Sequence, residues 1–196
     1  MKDEYRYGNC IQVVVPVLWI FFWSYWGLSS LHTGKTEYAE SKISRLFHLG
    51  MIGSAFAVVA FDRFHTGPLA WSILPESRLV LLTGTIITAL GLAFAVWARM
   101  QLGINWSGAI AMKADQQLIQ TGPYAIVRHP IYTGIVMGVL GTAIAIDGLR
   151  GILAIVLIFI AYFRKIWIEE KWLVNQFGSE YIQYQLKVKA LIPFIL

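Results

Sequence analysis

The chain has 196 residues, of which 57% are hydrophobic and 14% are charged, and its mean hydropathy is +0.61. These values exclude an ordinary soluble globular domain and predict an integral membrane protein. The formal net charge of +5 comes without the interleaved basic and aromatic residues that would indicate nucleic acid binding, and the single cysteine, Cys10, excludes a multi-cysteine metal site.

Five uncharged apolar segments follow one another along the chain and predict five membrane spans. They cover residues 11–31, 47–61, 79–98, 131–146 and 151–163. The first and third reach the roughly 20 residues that a helix needs to cross the hydrocarbon core, and the other three are shorter. We therefore expect an all-α polytopic membrane protein with a single domain over residues 1–196.

The distribution of basic residues predicts the orientation of these spans. Eleven of the sixteen Lys and Arg residues fall on the face that holds the loops after spans one and three and the C-terminal segment. Because basic residues accumulate in short cytoplasmic loops, we expect this face in the cytoplasm and the N-terminus outside the cell membrane.

Only residues 147–150 join spans four and five, which predicts a tight antiparallel helical hairpin with both flanks at the cytoplasmic face. The segment from Arg164 onward mixes aromatic and charged residues. This pattern is typical of an amphipathic helix at the membrane interface, with Gly178 at its C-terminal end. A solvated tail with aromatic anchors explains the pattern equally well.

The stretch TGPYAIVRHPIYTG, residues 121–134, concentrates turn formers and cations directly before span four. Pro130 suits the first position of a helix, which places His129 near the N-cap. The free N–H groups of that helix end, with Arg128 and His129 beside them, favour an anion such as a carboxylate. A topology anchor at Arg128 and a simple cap at His129 explain the residues equally well.

Two further patterns flank this stretch. Lys165 and Glu169 are four residues apart, share a helix face and should lie at the membrane level of His129. An ordinary surface ion pair is the simpler explanation for those two residues alone. Gly134, Gly138 and Gly141 form a small-residue stripe that predicts close packing of span four against another helix.

The segments LGINWSGAI, LIQTGPYAIVRHPIYTG and EEKWLVNQFGSEYIQY, followed by a closing Ile-Pro, resemble the isoprenylcysteine carboxyl methyltransferase family. The resemblance extends to the wider group of membrane methyltransferases, including phospholipid methyltransferases, and covers residues 102–193. It implies transfer of a methyl group from S-adenosylmethionine, leaving S-adenosylhomocysteine, to a lipophilic small-molecule or prenylated acceptor in the bilayer. In the best-known members the acceptor is the carboxylate of an isoprenylcysteine.

The resemblance also implies roles for individual residues, with the active site facing the cytoplasm and no metal. It assigns a cofactor role to Glu169 and substrate binding to Lys165, with Arg164 beside it as the alternative. Together with the anion site at the start of span four, it leads us to expect Glu169, Lys165 and Arg128 as the catalytic residues. Where many members have a histidine this chain has Gln116, and where the substrate residue is usually arginine it has Lys165. The implied cofactor contacts are Gln116, Gln117, Leu118, Ile119, Tyr124, His129, Pro130, Ile131, Tyr132 and Glu169.

Two other functions stay open at this point. A membrane reductase that uses a nicotinamide cofactor is one, because sterol reductases look similar in their C-terminal half. A non-catalytic membrane scaffold, whose motif residues only cap and pack helices, is the other. The identity of the bound cofactor would separate the three, whereas the sequence leaves the oligomeric state undetermined.

Overall fold

The computed structural model describes residues 2–31, 38–60, 67–108, 111–112 and 117–193. Within these ranges there are six α-helices: α1 Lys2–Ser30, α2 Lys42–Ala60, α3 Arg78–Leu102, α4 Pro130–Ile146, α5 Leu149–Phe177 and α6 Ser179–Lys187. Short 3-10 turns occupy Pro68–Ala70, Gly103–Asn105 and Gly122–Ala125. Two-residue strands, β1 Tyr38–Ala39 and β2 Ala111–Met112, pair antiparallel, with Tyr38 opposite Met112.

In the part of the chain that the structure describes, four helices are long and apolar enough to cross a membrane. These segments are Val13–Ser30, Lys42–Ala60, Arg78–Asn105 and Leu149–Phe177, and the shorter apolar helix α4 has 17 residues. The predicted all-helical membrane architecture is therefore confirmed. Helix α1 lies against α3, and α2 lies against α5.

Glycines on both sides of the interface bring α3 and α4 into backbone contact. A Cβ atom built on Gly141 would lie 2.4 Å from Thr88 N and 2.5 Å from Gly84 O. A Cβ atom on Gly134 would lie 2.5 Å from Gly91 O. Because no real side chain fits at such distances, the close packing predicted for the small-residue stripe is confirmed, and α4 is fixed in register on α3.

The turn between α4 and α5 consists of Asp147 and Gly148, as the predicted tight hairpin requires. Both have positive φ, 50° and 97°, a conformation that glycine and aspartate tolerate better than most residues. The Asp147 carboxylate accepts hydrogen bonds from the hydroxyl of Ser72 and from the N–H groups of Ile73, Leu74 and Gly148. Desolvation is the largest single contribution and opposes the shift, but the four hydrogen bonds together lower the pKa of Asp147 to about 2.

Helix α5 continues well beyond the predicted end of span five at residue 163. Its charged residues do not end the helix, because Arg164 donates to the Ser44 hydroxyl of α2 at 2.9 Å and Glu170 is paired with Arg128. The helix ends where Gly178, with φ 56°, caps it and starts α6. The predicted break at Gly178 is thus confirmed, whereas the expected interfacial helix is the continuation of α5 followed by α6.

Candidate functional site

A backbone connection fixes the segment before α4. The N–H groups of Arg128 and His129 donate to the carbonyls of Lys189 and Ala190 at 2.8 and 3.0 Å. Val127 and Lys189 form a parallel bridge. Residues 188–191, which we call the C-terminal strap, therefore hold the N-terminal end of α4 in place. His129 is the N-cap residue and Pro130 the first helical residue, as predicted.

The carboxylate of Glu170 is the centre of a hydrogen-bond cluster. Arg128 donates to Oε1 from Nε at 2.8 Å and from Nη2 at 2.6 Å. His129 Nε2 lies 3.1 Å from the same oxygen, and because a carboxylate only accepts, Nε2 carries the hydrogen. Gln185 donates to Oε2 at 3.0 Å. Arg128 also donates from Nη1 to the carbonyls of Val188 and Gln185, so its guanidinium ties α5 to the C-terminal strap.

Glu169 lies beside this cluster in a different environment. Its Oε2 accepts a hydrogen bond from the Tyr132 hydroxyl at 2.7 Å and lies 3.8 Å from Nδ1 of His129. The Glu169 side chain is 28% exposed, whereas that of His129 is 5% exposed. The Tyr132 ring stacks between the rings of His129 and Tyr162, with centroids 5.6 and 4.7 Å away. This stack fixes the hydroxyl that orients Glu169.

Lys165 and Arg164, the two residues expected to bind the acceptor, point in different directions. Lys165 is buried, and its Nζ lies 5.4 Å from the Tyr132 ring centroid, on the side of α5 that carries Glu169. Arg164 faces α2, where it donates to Ser44 and lies over the Phe47 ring at 5.3 Å. The structure thus brings Lys165, and not Arg164, next to Tyr132.

A narrow cleft runs between the turn after α3, the start of α4, the outer part of α5 and α6. The cleft is lined by all of the predicted cofactor contacts except Gln116. Gln116 lies outside the residues that the structure describes. The lining residues are Leu102, Asn105, Trp106, Ser107, Gln117, Leu118, Ile119, Tyr124, Arg128, His129, Pro130, Ile131, Tyr132, Glu169, Leu173, Phe177, Tyr181 and Tyr184.

Several of these residues were not identified from the sequence. The buried rings of Tyr181 and Tyr184 come from α6, and the Tyr184 hydroxyl donates to the carbonyl of Tyr124. Burial, with smaller contributions from nearby carboxylates, raises the pKa of Tyr124 and of Tyr181 well above the ordinary value, so both remain neutral hydroxyl groups. The sequence signal was the FGSEYIQY segment, whose tyrosines recur at helical spacing.

These features define the class of protein. A family model of phospholipid methyltransferases matches residues 79–180, which run from the start of α3 into α6 and include Arg128, His129, Tyr132, Glu169 and Glu170. The chain belongs to the phospholipid methyltransferase family.

Two fungal proteins are similar in sequence to this chain. The chain is 30% identical over 122 residues to protein-S-isoprenylcysteine O-methyltransferase of Saccharomyces cerevisiae, covering 61% of this chain and 51% of that protein. It is 38% identical over 101 residues to the same enzyme of Schizosaccharomyces pombe, covering 50% and 43%. The chain thus spans about half the length of these relatives.

A solved structure shows the same arrangement of helices. The eukaryotic intramembrane Ras methyltransferase, an isoprenylcysteine carboxyl methyltransferase, superposes with a TM-score of 0.60 and 25% sequence identity. The superposition covers 76% of this chain and 52% of that chain.

Proposed function

We propose that this protein transfers a methyl group from S-adenosylmethionine to a lipophilic acceptor in the membrane, as isoprenylcysteine carboxyl methyltransferases do. The acceptor group is a carboxylate, and the reaction takes place in the cleft. We place this cleft at the cytoplasmic face of the cell membrane, in a single domain of five spans over residues 1–196. The observation that carries the proposal is the carboxylate of Glu169, which lines the cleft and is oriented by Tyr132.

The residues of the cleft fit this cofactor. S-adenosylmethionine carries a sulfonium and an ammonium, an adenine ring and a carboxylate. Among the residues that the structure describes, Glu169 accepts one hydrogen bond, from Tyr132, which leaves capacity to accept another from a cation. The residues Leu118, Ile119, Tyr124 and Phe177 provide apolar and aromatic surface for a flat ring.

The fit to a nicotinamide dinucleotide is poorer. Such a cofactor carries a pyrophosphate, which requires cationic or helix N-terminal donors. Among the described lining residues Arg128 is the sole Lys or Arg, and its guanidinium already contacts Glu170 and the C-terminal strap, which leaves the N-terminal end of α4 to hold two phosphates. The contacts therefore favour a sulfonium cofactor over a dinucleotide.

When bound here, S-adenosylmethionine would supply a methyl group that its positive sulfur activates for in-line displacement. Glu169 would hold the cationic part of the cofactor. The stack of His129, Tyr132 and Tyr162 would keep the Glu169 carboxylate in position before the cofactor arrives. A carboxylate that is already in position stabilises the reacting charge without any cost of reorganisation during the reaction.

The acceptor carboxylate would meet Lys165, which lies outside the described cleft lining but next to Tyr132, four residues before Glu169 on α5. The ammonium of Lys165 is buried beside Tyr132, so its attraction for an anion is screened less than it would be at the surface. Arg128 and Glu170 serve as positioning residues in this scheme, because their contacts join α4, α5 and the C-terminal strap. The sequence led us to expect a catalytic role for Arg128, whereas our proposal makes it a positioning residue.

Titration calorimetry with S-adenosylhomocysteine tests the cofactor part of the proposal. Glu169→Gln removes the charge and keeps the shape, so we expect affinity to fall about 10- to 150-fold, the range for a hydrogen bond to a charged group. Glu76→Gln, at an exposed position before α3, is the matched control and should bind as the unmodified protein does. Equal affinities in the two variants would contradict the role of Glu169.

The acceptor class is tested with a small farnesylated cysteine derivative and cofactor labelled in its methyl group. An ester is cleaved by base, whereas a methylated amine or thioether is not, so release of labelled methanol identifies carboxyl methylation. Lys165→Met should raise the KM for this acceptor and leave the affinity for S-adenosylhomocysteine within about twofold, an effect expected of a pocket contact outside the cofactor site. Loss of cofactor binding in this variant would contradict our separation of the two subsites.

A further inference from the structure

A second cavity, of about 610 Å³, lies far from the cleft. Its lining on α4 runs from Val139 to Ile146, about 14–24 Å along the helix from Pro130. Its lining on α5 includes Arg150 and Ala154, at least 15 residues before Glu169, which is about 22 Å along that helix. The two sites therefore lie toward opposite ends of the helices.

The cavity arises from the way the first two helices pack. Helix α1 lies against α3 and α2 lies against α5, so a gap remains between α1 and α2. The ring of Phe56 bridges this gap to Trp19 and Trp23, with centroids 4.8 and 5.8 Å away. Pro16 and Ala60 line the cavity and are exposed, so the cavity reaches the outer surface between α1 and α2.

The walls suit a hydrocarbon chain. Most of the lining is aliphatic, aromatic or alanine, with Ala55, Val139 and Ala154 buried in the wall. The Thr142 hydroxyl does not offer a polar contact of its own, because it accepts from Trp19 Nε1 at 2.9 Å and donates to the Gly138 carbonyl at 2.8 Å. The volume is within the range of roughly 300–1,000 Å³ typical of ligand pockets.

One charged residue interrupts this apolar lining. Arg150 lies in the first turn of α5, directly after the hairpin turn, and donates from Nη2 to the carbonyl of Ile146 at 3.0 Å. Its Nε–H is buried and has no hydrogen-bond partner among the residues that the structure describes. The neighbouring carboxylate of Asp147 already accepts four hydrogen bonds from Ser72 and from the backbone of residues 73, 74 and 148.

A guanidinium at the end of an apolar cavity is complementary to one kind of molecule. A phosphate diester accepts hydrogen bonds from two nitrogens of one guanidinium, and such charge-assisted bonds are about twice as strong as neutral ones. In a bilayer this phosphate is attached to acyl chains, and in an anionic lipid no headgroup ammonium competes with the guanidinium for it. The position of Arg150, next to the hairpin turn at the end of two apolar helices, corresponds to the level of lipid headgroups.

We propose that this cavity binds an anionic glycerophospholipid of the leaflet opposite the cleft, with one acyl chain between α1 and α2 and the phosphate on Arg150. The lipid fills the gap that the packing of α1 and α2 leaves, and a rotation of the Arg150 guanidinium brings its unpaired Nε–H to the phosphate. This site is independent of the methyl transfer proposed above, because no residue lines both cavities.

Photocrosslinking in nanodiscs tests this proposal with the intact chain. The probe is phosphatidylglycerol that carries a diazirine at the end of one acyl chain, diluted into unlabelled phosphatidylcholine, and the readout is labelling of peptides covering residues 139–154. Arg150→Gln should lower this labelling about tenfold, because it removes a charge-assisted contact. Val139→Phe, which fills the cavity from its wall, should also lower it, whereas Arg78→Gln, at the start of α3 and outside the lining, should not.

Two results would overturn the proposal. One is equal labelling by the phosphatidylglycerol probe and by a phosphatidylcholine probe with the same chain, unaffected by Arg150→Gln. The other is unchanged labelling in Val139→Phe, which would place the acyl chain elsewhere. Gel filtration and circular dichroism of each variant show that it is folded, so that a loss of labelling reports on the cavity.

Discussion

The close contact between α3 and α4 gives a prediction that the structure makes quantitative. In Gly141→Ala the new Cβ would lie 2.4 Å from Thr88 N, 2.5 Å from Gly84 O and 2.6 Å from Thr88 Oγ1. Two of these are backbone atoms, so the strain cannot be relieved by a side-chain rotation. The helices must move apart by about 1 Å to restore ordinary van der Waals contact.

The cost of this movement follows from the packing it disturbs. Thr88 Oγ1 lies 3.2 Å from Gly138 O and 3.4 Å from Thr142 Oγ1 of α4, and both contacts depend on the present separation of the two helices. Overpacking in a core typically costs 1–3 kcal/mol, and a clash with backbone belongs at the upper end. We therefore expect a loss of about 3 kcal/mol, or about 6–12 °C in the unfolding temperature of a chain of this size.

The assay is thermal unfolding of the purified protein in one detergent, followed by circular dichroism. Gly53→Ala is the matched control, because that glycine also lies within an apolar helix and has nothing within 4 Å of an added Cβ. Its unfolding temperature should stay the same or rise slightly. An unfolding temperature for Gly141→Ala equal to that of Gly53→Ala would refute the argument.

Three further predictions concern the site and the hairpin. Tyr132→Phe removes the 2.7 Å hydrogen bond to Glu169 and keeps the ring stack, so titration with S-adenosylhomocysteine should show affinity lowered about fivefold and a nearly unchanged unfolding temperature. Unchanged affinity would show that the hydroxyl does not position the carboxylate. Arg128→Met leaves the half-buried Glu170 without its cation and should lower the free energy of unfolding by about 3 kcal/mol. Much of this loss should be recovered when Glu170→Gln is added. A double variant no more stable than Arg128→Met would exclude the proposed pairing. Because the folded-state pKa of Asp147 is lowered to about 2, its stabilising effect is present above pH 4 and is lost as the pH falls toward 2. The difference in unfolding temperature between the unmodified protein and Asp147→Asn should therefore be largest near pH 5 and shrink toward pH 2, whereas a constant difference would disprove the assignment.

The membrane-spanning architecture could be predicted because it depends on local chemistry. Uncharged apolar segments mark the helices, Asp147 and Gly148 mark the hairpin turn, and Gly178 marks the end of α5. The extent of α5 could not be predicted from hydropathy. Its charged half is stabilised by partners far away in sequence, such as Ser44 for Arg164 and Arg128 for Glu170, and these contacts exist only in the folded chain.

Part of the lining of the cleft could be predicted from the sequence, whereas its internal arrangement could not. The motif around residues 121–134 identified His129, Pro130 and Tyr132 as neighbours of Glu169, and the structure places them around one cleft. The sequence did not show that the two adjacent glutamates have different partners. Glu170 contacts Arg128 and His129, whereas Glu169 contacts Tyr132, a difference that depends on the rotation of α5 relative to α4.

The C-terminal strap has a consequence for biosynthesis. Arg128 reaches the carbonyl of Val188, 60 residues later in the chain, and the backbone of residues 128 and 129 is paired with residues 189 and 190. At 5–20 residues per second, a ribosome needs roughly 3–12 s to add those 60 residues after Arg128. During this interval the hairpin of α4 and α5 can enter the membrane, but the start of α4 lacks its backbone partners. The cleft is thus completed only after the hairpin of α4 and α5 has been inserted, when the strap has been synthesised.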